Sequence, residues 1–211
     1  MPTLTQLQHF LTFFPEIELP ITLSDDAHHT FSAHNLPLPM PYVHLFLEPQ
    51  DDAPTYPPTP PADHDDVIEI NDAETSDDDT TEYVPCFRIP EIEREEIAAV
   101  VYWRATFRDL AYAYEYFLVT FDKKAEKISH KSIGGTTLQM NGTTPLITNR
   151  VATIDENLFI YIAEGQSTVN TPAHHPNTNS AIAGETFDTS ADKVHQFELQ
   201  NDGRIVAVRS N

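Results

Sequence analysis

Ala111-Tyr-Ala-Tyr-Glu-Tyr-Phe-Leu-Val-Thr-Phe121 is the stretch whose reading decides the fold. Read with a period of two, Ala111, Ala113, Glu115, Phe117, Val119 and Phe121 fall on one side, and Tyr112, Tyr114, Tyr116 and Leu118 on the other. A continuous apolar run of this length also suits a buried helix. Five aromatics, with Val119 and Thr120, between residues 112 and 121 favour a strand, because such side chains fit a pleated, half-buried surface.

Residues 83–89 and 97–106 have the same β-branched and aromatic character. Downstream, three hairpin-like units recur. Phe117 to Asp122 leads through a turn into Lys127-Ile-Ser129, Val151 to Asn157 into Leu158-Phe-Ile-Tyr-Ile162, and Gln196 to Arg204 into Ile205-Val-Ala-Val208. Each strand ends in Asp or Asn at a turn. Asn141-Gly142 marks a fourth turn, since both residues tolerate positive φ. The spacing predicts a mainly β domain over 83–211, an antiparallel meander that curls on itself, with a polar loop at 164–192.

Residues 1–50 read as an apolar, proline-rich segment that packs on this sheet. Thr3 and Gln6 form a capping box, and Leu4, Leu7, Leu11 and Phe14 give a helix over 3–14 one apolar face. Pro15 ends it. Residues 17–23 are extended, and Pro20 restricts them to an edge. Residues 36–41 favour a polyproline-like conformation, and 42–47 form a further short apolar element.

Residues 51–82 differ in kind, with twelve acidic residues, five prolines and no lysine or arginine. Such a stretch buries too little apolar area to offset backbone ordering, which costs about 1–2 kcal/mol per residue, and it is expected to be a disordered linker. Between Met1 and Phe87 seventeen acidic residues face no lysine or arginine, so nearly all of the formal charge of −21 belongs to the N-terminal half. Polyanions, whether nucleic acid or membrane, are poor partners for this surface, and a basic protein is the natural one. The lone Cys86 suits a reducing compartment. No apolar run approaches the roughly 20 residues that span a bilayer, and the N-terminus has no signal-peptide pattern, so the expected location is cytoplasmic.

Two groups of residues are candidate sites. Val67, Ile68, Glu69 and Ile70, followed by Asp77, Asp78 and Asp79, resemble a SUMO-interacting motif, in which a short aliphatic strand adds to a sheet edge and an acidic tail meets a basic patch. Ser76 with Asp79 resembles an acidophilic kinase site. Trp103 with Arg104, together with Tyr112, Tyr114 and Tyr116, offers a stacking surface for a small ligand, or else core and cross-strand packing. Histidines at His28-His29 with His34, in Asp63-His64-Asp65-Asp66 and at His174-His175 lack the order of a metal site, so no metal or cofactor is expected. Cys86, between Pro85 and Phe87, reads as a buried apolar group before it reads as a nucleophile. Gly134-Gly135 precedes threonines and no helix, so it is no phosphate cradle.

Phe14-Pro-Glu16, Leu19-Pro-Ile-Thr-Leu23, Glu82-Tyr-Val-Pro-Cys-Phe-Arg88, Val100-Val-Tyr-Trp103, Phe117-Leu-Val-Thr-Phe-Asp-Lys123 and Val151-Ala-Thr-Ile-Asp155 together resemble a family of small uncharacterised Bacteroidota proteins. Ala125 stands where such relatives carry a turn glycine after two lysines, which leaves the turn type open. The resemblance implies a shared fold and no activity. The sequence therefore points to a non-enzymatic, immunity-like or adaptor protein that meets a basic partner. The alternative is a small-ligand binder or enzyme with an aromatic pocket in the curved sheet.

Overall fold

The computed structural model describes residues 2–24, 27, 36–48, 80–89, 97–108, 111–141, 144–168 and 193–208. In chain order the elements are α1 (Leu4–Leu11), β1 (Ile21–Leu23) and α2 (Met40–Tyr42), which runs into one π-helical turn over Val43–Leu47. Then come β2 (Thr80–Arg88), β3 (Ala98–Arg108), β4 (Ala111–Phe121), β5 (Lys127–Asn141), β6 (Thr144–Ile154), β7 (Phe159–Thr168), β8 (Lys193–Leu199) and β9 (Ile205–Ala207). From β2 to β9 each strand pairs antiparallel with the next, and β1 joins β6, giving one nine-stranded sheet that does not close. The expected mainly β, antiparallel meander is what the chain forms. β2 begins at Thr80 and β7 runs on to Thr168, so strand takes the last residues of 51–82 and the first of 164–192. The ladder of β7 with β6, from Leu146↔Thr168 to Ile154↔Ile160, holds this polar extension in place.

The alternation in β4 sorts its side chains between two cores. Tyr116 and Leu118 point to the inner face, with Ala99, Val101 and Trp103 of β3, Ile133 of β5, Ile154 of β6 and Ile160 of β7. Phe117, Val119 and Phe121 point to the outer face, where the N-terminal segment covers them. A bulge leaves Ile133 between the partners of Tyr116 and Phe117, and bulges bend the strand that carries them. β5 therefore departs from β6 below Gly135, and β1 takes the vacated edge through Leu23↔Ala152 and Ile21↔Ile154. Curling brings the last hairpin back to β4 and β5. The Thr120 hydroxyl donates to Gly203 O at 2.6 Å, and Ile205 N donates to Ser129 Oγ at 3.2 Å.

Three hairpins share one turn design. Asp122 O accepts from Ala125 N, Asp155 O from Leu158 N, and Gln200 O from Gly203 N. Each third residue has positive φ, 65° at Ala125, 65° at Leu158 and 84° at Gly203. This is a type I turn closed by a left-handed residue, a common three-residue hairpin loop. Only Gly203 has the residue type that adopts this conformation without strain. At the other two turns an aspartate compensates: Asp122 Oδ1 accepts from Lys124 N and Glu126 N, and Asp155 Oδ1 from Asn157 N and Phe159 N. Ala125 thus closes its turn without a glycine.

On the outer face α1 is capped as read, with the Thr3 and Gln6 side chains each bonded to the other's backbone N–H. Its buried stripe is Leu7, Phe10 and Phe14, while Leu4 is 48% exposed and Leu11 only partly covered. The stripe therefore differs from the expected Leu4–Leu7–Leu11–Phe14 line. Phe10 stacks on Phe46 with ring centroids 4.7 Å apart and meets Phe121 edge-on. The same segment also covers the edge of β2, where Leu38 N donates to Tyr83 O and Arg88 N to Pro15 O.

Candidate functional site

A row of charged side chains crosses the sheet beyond the N-terminal cover. Register places Arg104 of β3 opposite Glu115 of β4, Glu115 opposite Gly135 of β5, Gly135 opposite Arg150 of β6, Arg150 opposite Glu164 of β7 and Glu164 opposite Lys193 of β8. Opposite charges in such cross-strand pairs attract. Gly135 has φ of 111°, and a Cβ there would lie 1.9 Å from Tyr114 O. With no side chain at this point, Arg150 can approach Glu115 across β5.

Arg104 Nη2 donates to Glu115 Oε2 at 2.8 Å, and Ser132 Oγ donates to Oε1 at 3.0 Å. Arg150 Nε donates to Glu164 Oε2 at 2.8 Å and holds Nη1 4.0 Å from Glu115 Oε1. The hydrogen bond from Arg150 holds the Glu164 carboxyl below the usual glutamate range. Arg104 also lies over the Phe117 ring at 4.5 Å, and its Nε is buried with no acceptor among the described residues. These groups line a groove of about 550 Å³, whose walls include Tyr83, Thr106 and Thr137.

A second hollow, of about 660 Å³, lies between the π-helical turn and the β4–β5 hairpin, lined by Phe46, Phe121, Lys124, Lys127 and His130 among others. Lys127 Nζ donates to the carbonyls of Leu47 and Glu48 at 3.1 Å each. His130 stacks against Tyr102 and Phe117, and its Nε2 lies 2.9 Å from Tyr102 Oη. Burial, then Lys127 and Arg104, lower its pKa to about 4. Burial keeps the Tyr102 phenol protonated, so it can donate to the neutral imidazole. Part of the imidazole remains open to water.

The aromatic quartet read from the sequence does not gather around an opening. Trp103 and Tyr116 are buried in the inner core, and Tyr116 Oη donates to Ser24 O at 3.3 Å. Trp103 stacks on Tyr114 with centroids 5.6 Å apart, and Tyr112 packs on Tyr114 at 5.0 Å. Of the four, only Tyr112 borders the groove. Cys86 is fully buried, and burial raises its thiol pKa. Val67, Ile68, Glu69, Ile70, Asp77, Asp78 and Asp79 lie outside the described residues, as do Ser76, His28, His29, His34, Asp63-His64-Asp65-Asp66, His174 and His175. Among the described residues no three His, Cys, Asp or Glu side chains gather as metal ligands, and no helix is long and apolar enough to cross a membrane.

Glu115, Arg150, Glu164 and Lys193 were not singled out from the sequence. One signal was legible there: the period-two reading put Glu115 on the same side as Phe117 and Val119, and a carboxylate on an apolar face needs partners. Those partners come from strands up to 35 residues away, which periodicity does not reveal. Comparison with family models, with curated proteins and with solved structures finds no match for the chain.

Proposed function

We propose that the chain is a non-enzymatic binding protein that recognises a basic protein partner through its acidic segments, with the sheet as the frame that carries them. One observation carries this reading. The described residues hold twelve Asp or Glu against ten Lys or Arg, while the whole chain holds 33 against 12. The described residues are therefore nearly balanced, and the acidic excess belongs to the rest of the sequence. A single-sign field of this kind speeds encounter with an oppositely charged protein and restricts the choice of partner. Side chains fill the inner face, and the buried Cys86 and Tyr102 serve packing, which supports a binding role over chemistry. A reducing, cytoplasmic setting fits the single thiol.

The test is affinity capture from the native host, followed by association kinetics with the captured protein. The comparison chain has the eleven acidic residues of 49–79 changed to their amides. The full chain should capture a basic protein, and association should slow strongly as salt rises from about 0.05 to about 0.5 M. An association rate indifferent to salt, or equal for the amidated chain, would overturn the reading.

A further inference from the structure

The geometry points to a binding site for a small hydroxylated carboxylate in the groove, with Arg104 and Arg150 taking the carboxylate and Glu115 accepting a neighbouring hydroxyl. The site is built from described residues alone and does not depend on the function proposed for the acidic segments.

Arg104 and Arg150 have unused hydrogen-bonding capacity. A guanidinium carries five N–H donors in a planar fork that matches a carboxylate. Among the described residues, Arg104 bonds an acceptor only through Nη2, and Arg150 only through Nε. Both line the same groove, and they flank the two oxygens of one carboxylate, that of Glu115. Glu115 is only 14% exposed, so these charges act in surroundings poorer in water than an open surface. Arg104, Arg150 and Glu115 leave the lining itself with one net positive charge, which Glu164, bonded to Arg150 from beyond the lining, balances.

The rest of the lining settles the class of ligand. Thr81, Thr106 and Thr137 bring hydroxyls, Tyr83 a phenol and Gln139 an amide. Such groups exchange hydrogen bonds with hydroxyls placed beside a carboxylate. A purely apolar acid would displace water from these groups without replacing its hydrogen bonds, which costs binding. A volume of about 550 Å³ suits a molecule of monosaccharide size. Gly135 keeps β5 from separating the two arginines, and the backbone leaves no room for a Cβ there.

The test is an NMR titration of the full chain, following backbone amides and arginine Nε–H signals, with D-galacturonate as probe and D-galactose as neutral counterpart. Galacturonate should shift Arg104, Glu115, Gly135 and Arg150 saturably, with a dissociation constant of about 1 mM or tighter. Galactose should not. Arg150→Gln should weaken binding at least tenfold in a chain that still folds. Thr137→Glu, which leaves both arginines in place and adds a negative charge to the wall, should do the same and serves if Arg150→Gln misfolds. Absence of saturable shifts would overturn the proposal, as would equal shifts from galactose or undiminished binding by a folded variant. Inorganic phosphate binding as tightly as galacturonate would overturn the carboxylate assignment.

Discussion

Phe10→Ala tests whether the N-terminal segment belongs to the cooperative fold. The side chain is fully buried at the junction of α1, the π-helical turn and β4. Its ring lies 5.0 Å from that of Phe14, 4.7 Å from Phe46 and 6.1 Å from Phe121. Truncating a fully buried phenylalanine costs about 3–5 kcal/mol, through lost transfer energy and the cavity left behind. The aromatic contacts, each worth about 0.5–1.5 kcal/mol beyond buried area, place this site at the upper end. Leu11→Ala, on a partly covered neighbour, should cost roughly half as much, and Leu4→Ala less than about 0.5 kcal/mol. Urea unfolding followed by tryptophan fluorescence reports the sheet, because Trp103 is buried in the inner core on the other side from Phe10. If the cover and the sheet unfold together, the midpoint falls and the slope stays constant. A cost below about 1 kcal/mol, or a reduced slope, would refute the view that the cover is part of one folding unit.

Gly135→Ala should destabilise strongly, because the added Cβ meets backbone, while Gly203→Ala should cost about 1–3 kcal/mol from positive φ and a contact 2.7 Å from Ile128 Cδ1. Equal melting temperatures for both variants and the parent would contradict the turn and bulge geometry. Glu115→Gln leaves Arg104 and Arg150 without their shared carboxylate and should cost about 1–3 kcal/mol in urea unfolding; a cost under about 0.3 kcal/mol would mean that water screens the row. His130 titrates near 4 in the fold and near 6.5 when unfolded, so the unfolded chain binds more protons between those values and stability falls as pH drops through that window. With solvent reaching one side of the ring, the loss from pH 7 to 5 should be about 1 kcal/mol, and His130→Gln should flatten the profile in that range. Replacing 49–79 by a short Gly-Ser linker should leave the melting temperature within a few degrees, since eleven acidic residues and six prolines leave this stretch little apolar area to bury; a larger drop would place that segment in the fold.

Strand positions and faces were legible because the side-chain period in a strand is two, and it fixes the face as soon as any face is buried. Tyr116 with Leu118, and Phe117 with Val119, separate in the structure as their positions in the sequence require. The turns were legible through Asp122 and Asp155. Their closing residues were not, since Ala125 and Leu158 adopt a backbone conformation that composition assigns to glycine. The stripe on α1 was misplaced because positions 7, 10 and 14 satisfy helical spacing as well as 4, 7, 11 and 14 do. Only the partner surface, with Phe46 and Phe121, decides between them. The charged row was hidden for the same reason on a larger scale. Apart from Glu115 on its apolar face, no member stands out among its neighbours in sequence, and only the register of six strands puts them in line.

The anchors of the acidic segment give the two proposed sites a physical relation. Glu48, the last described residue before it, lies beside β2, where its charge and hydrogen bond add to burial in raising the Tyr83 pKa. Tyr83 also lines the groove, and Thr80 opens the strand that carries it. The segment therefore leaves and rejoins the frame close to the groove. At 0.15 M salt the Debye length is about 8 Å, so only acids near the anchors act directly on a ligand held by Arg104 and Arg150. Encounter from a distance follows the net charge of −21 instead. Added salt should accordingly slow the approach of a basic protein and speed that of a small carboxylate. The two rates move in opposite directions under one variable, so a single salt series tells a partner of the acidic segments from a ligand of the groove.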